Sequence, residues 1–319
     1  MGRRCVSFLI AFAAVGLFAI PAPIAQGQST QDLDRAQLLR NQARLSQDPY
    51  VDEDGVDDNG LAAASPNDPD LGEQVILKRK EHYDPFTVSL AAPFFYTSNV
   101  ALVRKGEQSD FLVAPAASVT YAPRVSNTFY AEVTIQEQQF YYDRFSEFDF
   151  GTFDIRLGVA YYLPKVHNLI LRAQYTYNQL TSKHTFDTFF SDHALFLSVE
   201  MPFHFGRAQQ VSVGADTSIS FAANPDQPQR NEANFYIGYV VNLTRSLSLD
   251  LAGRIFLRDY EIGDRRDVSG VLALGANYRI SKWFNASFIS TYAASRSNHS
   301  VFDYDVANLG GAVVFSVKF

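Results

Sequence analysis

Residues 247–258 read Leu247-Ser248-Leu249-Asp250-Leu251-Ala252-Gly253-Arg254-Ile255-Phe256-Leu257-Arg258. Leu247, Leu249, Leu251, Ile255 and Leu257 share one parity, and Asp250, Arg254 and Arg258 share the other. Apolar residues at period two indicate a β-strand with one greasy face. Here the opposite face carries full charges. The pattern recurs on both sides of this segment. Phe111, Val113, Val119 and Tyr121 follow it, as do Phe153, Ile155, Leu157, Val159, Tyr161 and Leu163. So do Val211, Val213, Ala215, Ile219 and Phe221, and Phe235, Ile237, Tyr239, Val241 and Leu243. Alternating segments of roughly ten residues separated by turns are the template of a transmembrane barrel.

On that template the strands fall near 86–97, 109–122, 127–142, 148–163, 169–181, 192–205, 210–222, 232–243, 247–261, 267–280, 283–295 and 304–319. The expected fold is all-β, an antiparallel transmembrane β-barrel of about twelve strands. Each segment is long enough to cross a bilayer when tilted. An even count puts both ends of the barrel on one side. Short turns are expected at Pro123–Ser126, Pro164–Asn168, Gly206–Gln209, Thr244–Ser246 and Ser281–Lys282. Longer polar connections are expected at Ser98–Gln108, Asp143–Glu147, Ser182–Ser191, Ala223–Asn231, Ile262–Arg266 and Arg296–Asp303. Short periplasmic turns and longer outer loops are the usual asymmetry. A soluble β-sandwich would also show many strands, but it would not need this length or this alternation.

Residues 1–27 read as a cleaved secretory signal: Arg3 and Arg4, then an apolar run from Cys5 to Ile20, then Ala25-Gln26-Gly27 as a small-x-small cleavage site. The only cysteine, Cys5, lies inside it, so disulfides and thiolate chemistry are excluded from the mature chain. Residues 28–85 are expected to form a periplasmic segment. Leu33, Ala36, Leu39 and Ala43 suggest one amphipathic helix over 32–45. The stretch 46–75 reads as a flexible acidic linker. Within it, Asp52 to Asp58 resembles part of a calcium loop, but Tyr50 stands where a first oxygen ligand belongs. No metal site and no cofactor are therefore expected. The net charge of −7 gives no support to nucleic-acid binding.

The barrel spans 86–319. Its last strand carries Val313, Phe315, Val317 and Phe319 on one face. This resembles the terminal strand of bacterial outer-membrane barrels, and the resemblance implies an assembly signal read by the barrel-assembly machinery. A looser resemblance rests on Tyr96-Thr97-Ser98-Asn99-Val100 and Pro115. It is to poorly characterised families of β-barrel porins, and it implies a fold and an outer-membrane location but no site.

With the greasy parity in lipid, the other parity lines the lumen. The lumen candidates are Glu132, Asp154, Arg156, Arg172, Glu200, Asp216, Asp250, Arg254, Arg258 and Arg279, with Gln136 and Gln174 beside them. Inward placement is nearly forced, since Arg or Lys facing lipid at the midplane costs about 2–4 kcal/mol. Two readings stand. The charges form a mutually neutralising network that fills a narrow barrel, or Arg172, Arg254, Arg258 and Arg279 attract anions into a small pore. A twelve-stranded barrel lies between filled and open sizes, and the helix at 32–45 would sit in its lumen or in the periplasm, the latter being preferred. The expected function is porin-like passage of small polar or anionic solutes. The alternatives are a non-conducting surface or assembly platform and, below that, a lipid-modifying enzyme. Catalysis is not expected, because His184, His193 and Asn298-His299-Ser300 show no nucleophile–base spacing. The expected partners are outer-membrane lipids, the assembly machinery and small solutes. Arg124, Lys165, Arg207, Arg245 and Lys282, one in each short turn, and the lone Trp283 suit an anionic headgroup interface.

Overall fold

The computed structural model describes residues 35–38, 84–182, 187–205 and 208–319. The segments expected as a signal, 1–27, and as an acidic linker, 46–75, lie outside the described residues. The strand segments are β1 (Phe86–Thr97), β2 (Asp110–Val113), β3 (Ala116–Tyr121), β4 (Phe129–Tyr142), β5 (Phe150–Leu163), β6 (Leu169–Ser182) and β7 (Thr188–Phe205). They continue as β8 (Gln209–Asn224), β9 (Arg230–Asn242), β10 (Leu247–Tyr260), β11 (Arg266–Arg279), β12 (Phe284–Ser297) and β13 (Tyr304–Lys318). Sequential neighbours pair antiparallel, and β13 returns to β1 from Thr87↔Lys318 to Thr97↔Asn308. The sheet is thus a closed barrel with no free edge, the solution that satisfies every ladder group in lipid.

The expected strand 109–122 is interrupted at Ala114-Pro115 because proline has no N–H to give to the ladder. The register nevertheless runs through the break: Phe94 faces Val113 and Ala91 faces Ala116 on one side. On the other side Leu112 faces Tyr142 and Ala116 faces Gln138. β2 and β3 therefore act as one stave, and the barrel has twelve.

The period-two reading holds. Phe111, Val119, Leu157, Ile219, Phe235, Ile237, Leu251, Ile255 and Leu257 all stand exposed on the outer wall. The connections differ from expectation. β7 begins at Thr188, β8 runs to Asn224 and β9 begins at Arg230, so the segments expected as long loops contribute strand. Polar residues there continue the ladder, with Ser191 facing Asn224 and Asp192 facing Ala223. Asp192 also accepts from the Ser220 hydroxyl at 2.5 Å. Only Ser98–Ser109 remains clearly long. The Asn99 side chain ties it down through Val103 and the Asp305 carbonyl, and Val100 and Leu102 are buried.

The inner wall changes character along its length. On β1, inward Thr87 and Ser89 are half-buried, whereas Ala91, Pro93, Phe95 and Thr97 are buried. On β4, Glu132 and Thr134 are half-buried, and Gln136, Gln138, Phe140 and Tyr142 are buried. The other staves repeat this trend, so the lumen is tight at the end bearing the first long connection and looser at the short-turn end. The tight end holds an apolar cluster of Phe95, Leu112, Phe140, Phe150, Leu180 and Phe190. Phe95 lies so close to β13 that a Cβ on Gly310 would stand 2.4 Å from its ring.

Arg35–Leu38 forms a helical turn, within the expected helix 32–45. Its contacts are with the inner wall of the barrel. Ala36 is 1% exposed within that apolar cluster, and Leu38 packs on Leu102, Ala293, Tyr304 and Val306. The turn sits inside the barrel at its tight end, because that is where inward aromatics offer an apolar surface for Ala36 and Leu38 to bury.

Candidate functional site: the polar lumen

All ten lumen candidates fall on the inward parity. The half-open part of the lumen carries a belt of alternating charge. Arg172 of β6 lies 3.8 Å from Glu132 of β4 and 3.8 Å from Glu200 of β7. Gln174 donates to Glu132 at 2.8 Å, and the Tyr236 hydroxyl donates to Glu200 at 3.0 Å. Tyr236 can lie across the wall because its neighbour on β8 is Gly214, where a Cβ would stand 2.3 Å from the ring. The Arg254 guanidinium is 5.0 Å from the Tyr236 ring centre. Asp216, on the same belt, accepts from Asn234 at 2.8 Å.

The remaining candidates serve the wall around this belt. Asp154 is buried and accepts from Thr152 and Asn178. Arg156 is half-buried on the same strand. Asp250 accepts from Asn277 at 2.9 Å. Arg279 donates to the Arg245 carbonyl at 2.7 Å, at the short-turn rim. Arg258 lies nearer the tight end. Its partner is Glu232 on the neighbouring strand, at 2.7 Å. It also donates to Ser269, which donates on to Ser295.

Sequence reasoning missed Glu232, Arg230, Arg265, Asp267 and Tyr236. The first four stand at strand ends, in positions that read as loop edges. Arg230 approaches Glu232 at 3.8 Å and donates to Tyr260, and Arg265 holds Asp267 at 2.5 Å while lying over Tyr260 and Phe302. Tyr236 looked like an ordinary aromatic in a strand. Only its even number, opposite in parity to Phe235 and Ile237, signals that it faces inward.

Val313, Phe315, Val317 and Phe319 share the outward parity, and the Phe319 ring stacks on Phe86 at 5.8 Å. His193 is on the outer wall, with its Nδ1 2.6 Å from the Tyr175 hydroxyl. His299 Nε2 lies 3.2 Å from the Gly263 carbonyl. His184 and Arg207 lie outside the described residues. Trp283 is exposed at the short-turn end.

No family model matches the chain, and no curated protein matches it. Among solved structures, an outer membrane channel from Pseudomonas putida F1 matches with TM-score 0.52 at 10% identity, covering 74% of this chain and 97% of that one. The translocator domain of the autotransporter NalP from Neisseria meningitidis gives TM-score 0.44 at 11% identity, covering 75% and 90%. The outer membrane phospholipase A from Escherichia coli gives 0.44 at 13%, covering 73% and 96%. At these identities the likeness is one of fold, and the fold is that of a bacterial outer-membrane β-barrel.

Proposed function

We propose that the chain is a narrow outer-membrane channel for small polar solutes, entered from the periplasmic, short-turn side and closed at its outer end in this state. The observation that carries the reading is the gradient along the inner wall. Charged side chains of the belt keep solvent contact, with Arg172 29%, Glu132 20% and Glu200 21% exposed, while Phe95, Phe140 and Leu112 at the other end keep none. Inward Gly238 supports open space beside the belt, since nothing lies within 4 Å of where its Cβ would stand. A charged lining facing water is how small pores select solutes.

The belt favours weak selectivity. Arg172 is shared by two carboxylates, Arg258 is held by Glu232, and Arg279 is engaged by a turn carbonyl. Arg254 alone of the four arginines forms neither an ion pair nor a hydrogen bond among the described residues; it lies over the Tyr236 ring and acts on Asp216 only at longer range. It is the cation available to a passing anion.

Planar-bilayer conductance of the refolded protein tests the reading. Phe95→Ala with Phe140→Ala should widen the closed end and raise conductance several-fold. Arg254→Ala in that background should lower anion over cation permeability, read from reversal potentials in asymmetric salt. A folded, widened barrel without conductance would leave a non-conducting platform as the function.

A further inference from the structure

At the tight end of the lumen the turn Arg35–Leu38 packs among inward-facing aromatics, and the way it is seated points to a ligand chemistry. Arg35 is 6% exposed. Its guanidinium carbon is 3.8 Å from the centre of the Phe148 ring and 5.8 Å from that of Tyr142. The two rings meet edge to face at 6.2 Å, so they form two walls of a corner. Buried Asp149 accepts from the Tyr142 backbone N–H at 2.7 Å, which holds the backbone that carries one of the rings. A planar, weakly hydrated cation over an aromatic face is the arrangement that suits guanidinium better than ammonium.

The other residues of the turn reach different walls. Gln37 accepts from Arg230 of β9, and Leu38 packs beside Ala293 of β12 and Tyr304 and Val306 of β13. The turn therefore crosses the lumen, from β4 and the loop after it to the far staves. Arg35 is its polar anchor on the near side.

We propose that Phe148 and Tyr142 form a guanidinium-binding site at the outer end of the lumen, filled here by Arg35, so that the N-terminal turn is a plug which an arginine-like solute displaces. This deepens the channel reading by naming the solute class and the means of opening. The site is tested by side-chain protection and needs no conduction, so the two readings fail separately.

The test uses the full chain with Cys5→Ser and a reporter, Ala36→Cys, labelled by a small maleimide in the folded, heat-modifiable protein. With Arg35 present, labelling should be slow. Arg35→Ala should speed it at least tenfold. With Arg35 present, ethylguanidinium should compete for the site and speed labelling several-fold, and ethylammonium at equal concentration should not. Phe148→Ala with Arg35 present should itself speed labelling and leave ethylguanidinium without further effect. Fast labelling with Arg35 present would show that the turn is not seated and overturn the proposal. Equal acceleration by both cations, no acceleration by ethylguanidinium, or acceleration that survives Phe148→Ala would overturn the guanidinium site.

Discussion

Arg258→Ala should destabilise the barrel, and the structure indicates by how much. The Arg258 Nε–Glu232 Oε2 contact is 2.7 Å, with side chains 10% and 20% exposed. Removing one member of a fully buried pair costs about 3–5 kcal/mol. That limit is not reached here, because Glu232 is partly hydrated and retains Arg230 at 3.8 Å. A lost charge-assisted hydrogen bond, at about 1.5–3 kcal/mol, is the better guide. That is roughly a 10- to 100-fold fall in the folding equilibrium constant. The Ser269–Ser295 pair also loses the guanidinium that Ser269 accepts from. Glu232→Gln with Arg258→Ala should recover much of the loss, because no carboxylate is then stranded. Urea midpoints of the barrel in lipid vesicles, read by gel mobility with and without boiling, provide the free energies for a double-mutant cycle. If Arg258→Ala unfolds at the wild-type midpoint, or if the two changes are simply additive, then water solvates the pair and the local network is not dry.

Two further predictions concern assembly and topology. Deleting Phe319 removes the ring stacked on Phe86 and the backbone bonds between the two residues; the yield of heat-modifiable barrel in the outer membrane should fall, and an unchanged yield would remove the assembly role of the C-terminal face. Thiol labels applied to intact cells should reach cysteines placed at Asp226 or Asn298 but not at Lys165 or Lys282, and the opposite pattern would invert the orientation.

The wall of this barrel was legible in the sequence because lipid enforces parity: a strand that hides Leu251, Ile255 and Leu257 in the bilayer must turn Arg254 and Arg258 inward. The partners of those arginines were harder to read. Parity gives direction, whereas pairing depends on stagger between strands, and stagger placed Glu232 rather than Asp250 beside Arg258. The plug was hidden for another reason. Phe95 stands between outward Phe94 and Tyr96, and Phe140 and Phe190 each have an outward aromatic beside them in Tyr141 and Phe189, so the apolar character of the tight end leaves little periodic trace. Without it, Arg35 and Ala36 had no visible surface to dock on, and a periplasmic helix was the simpler expectation. The loops were overestimated because polar residues such as Ser191 and Asp192 were read as loop formers, although at a water-facing rim they serve equally well in a strand.

The seam between β1 and β13 also has a consequence in time. Every other stave pairs with its neighbour in sequence, so those contacts can form locally as the chain collapses. The Phe86 and Phe319 backbones, which exchange two hydrogen bonds at 3.0 Å, must find each other across the whole barrel. Joining ends so far apart costs about 5 kcal/mol of loop entropy on a flexible chain, before any contact of the seam offsets it. The cost falls if the intervening hairpins are already paired and curved, because the two edges are then held near one another. Closure should therefore come late and all at once, and until then two strand edges and a greasy wall are bare. The slow step of folding should track the β1–β13 seam, with substitutions at Phe86 or Phe319 slowing formation more than they speed unfolding.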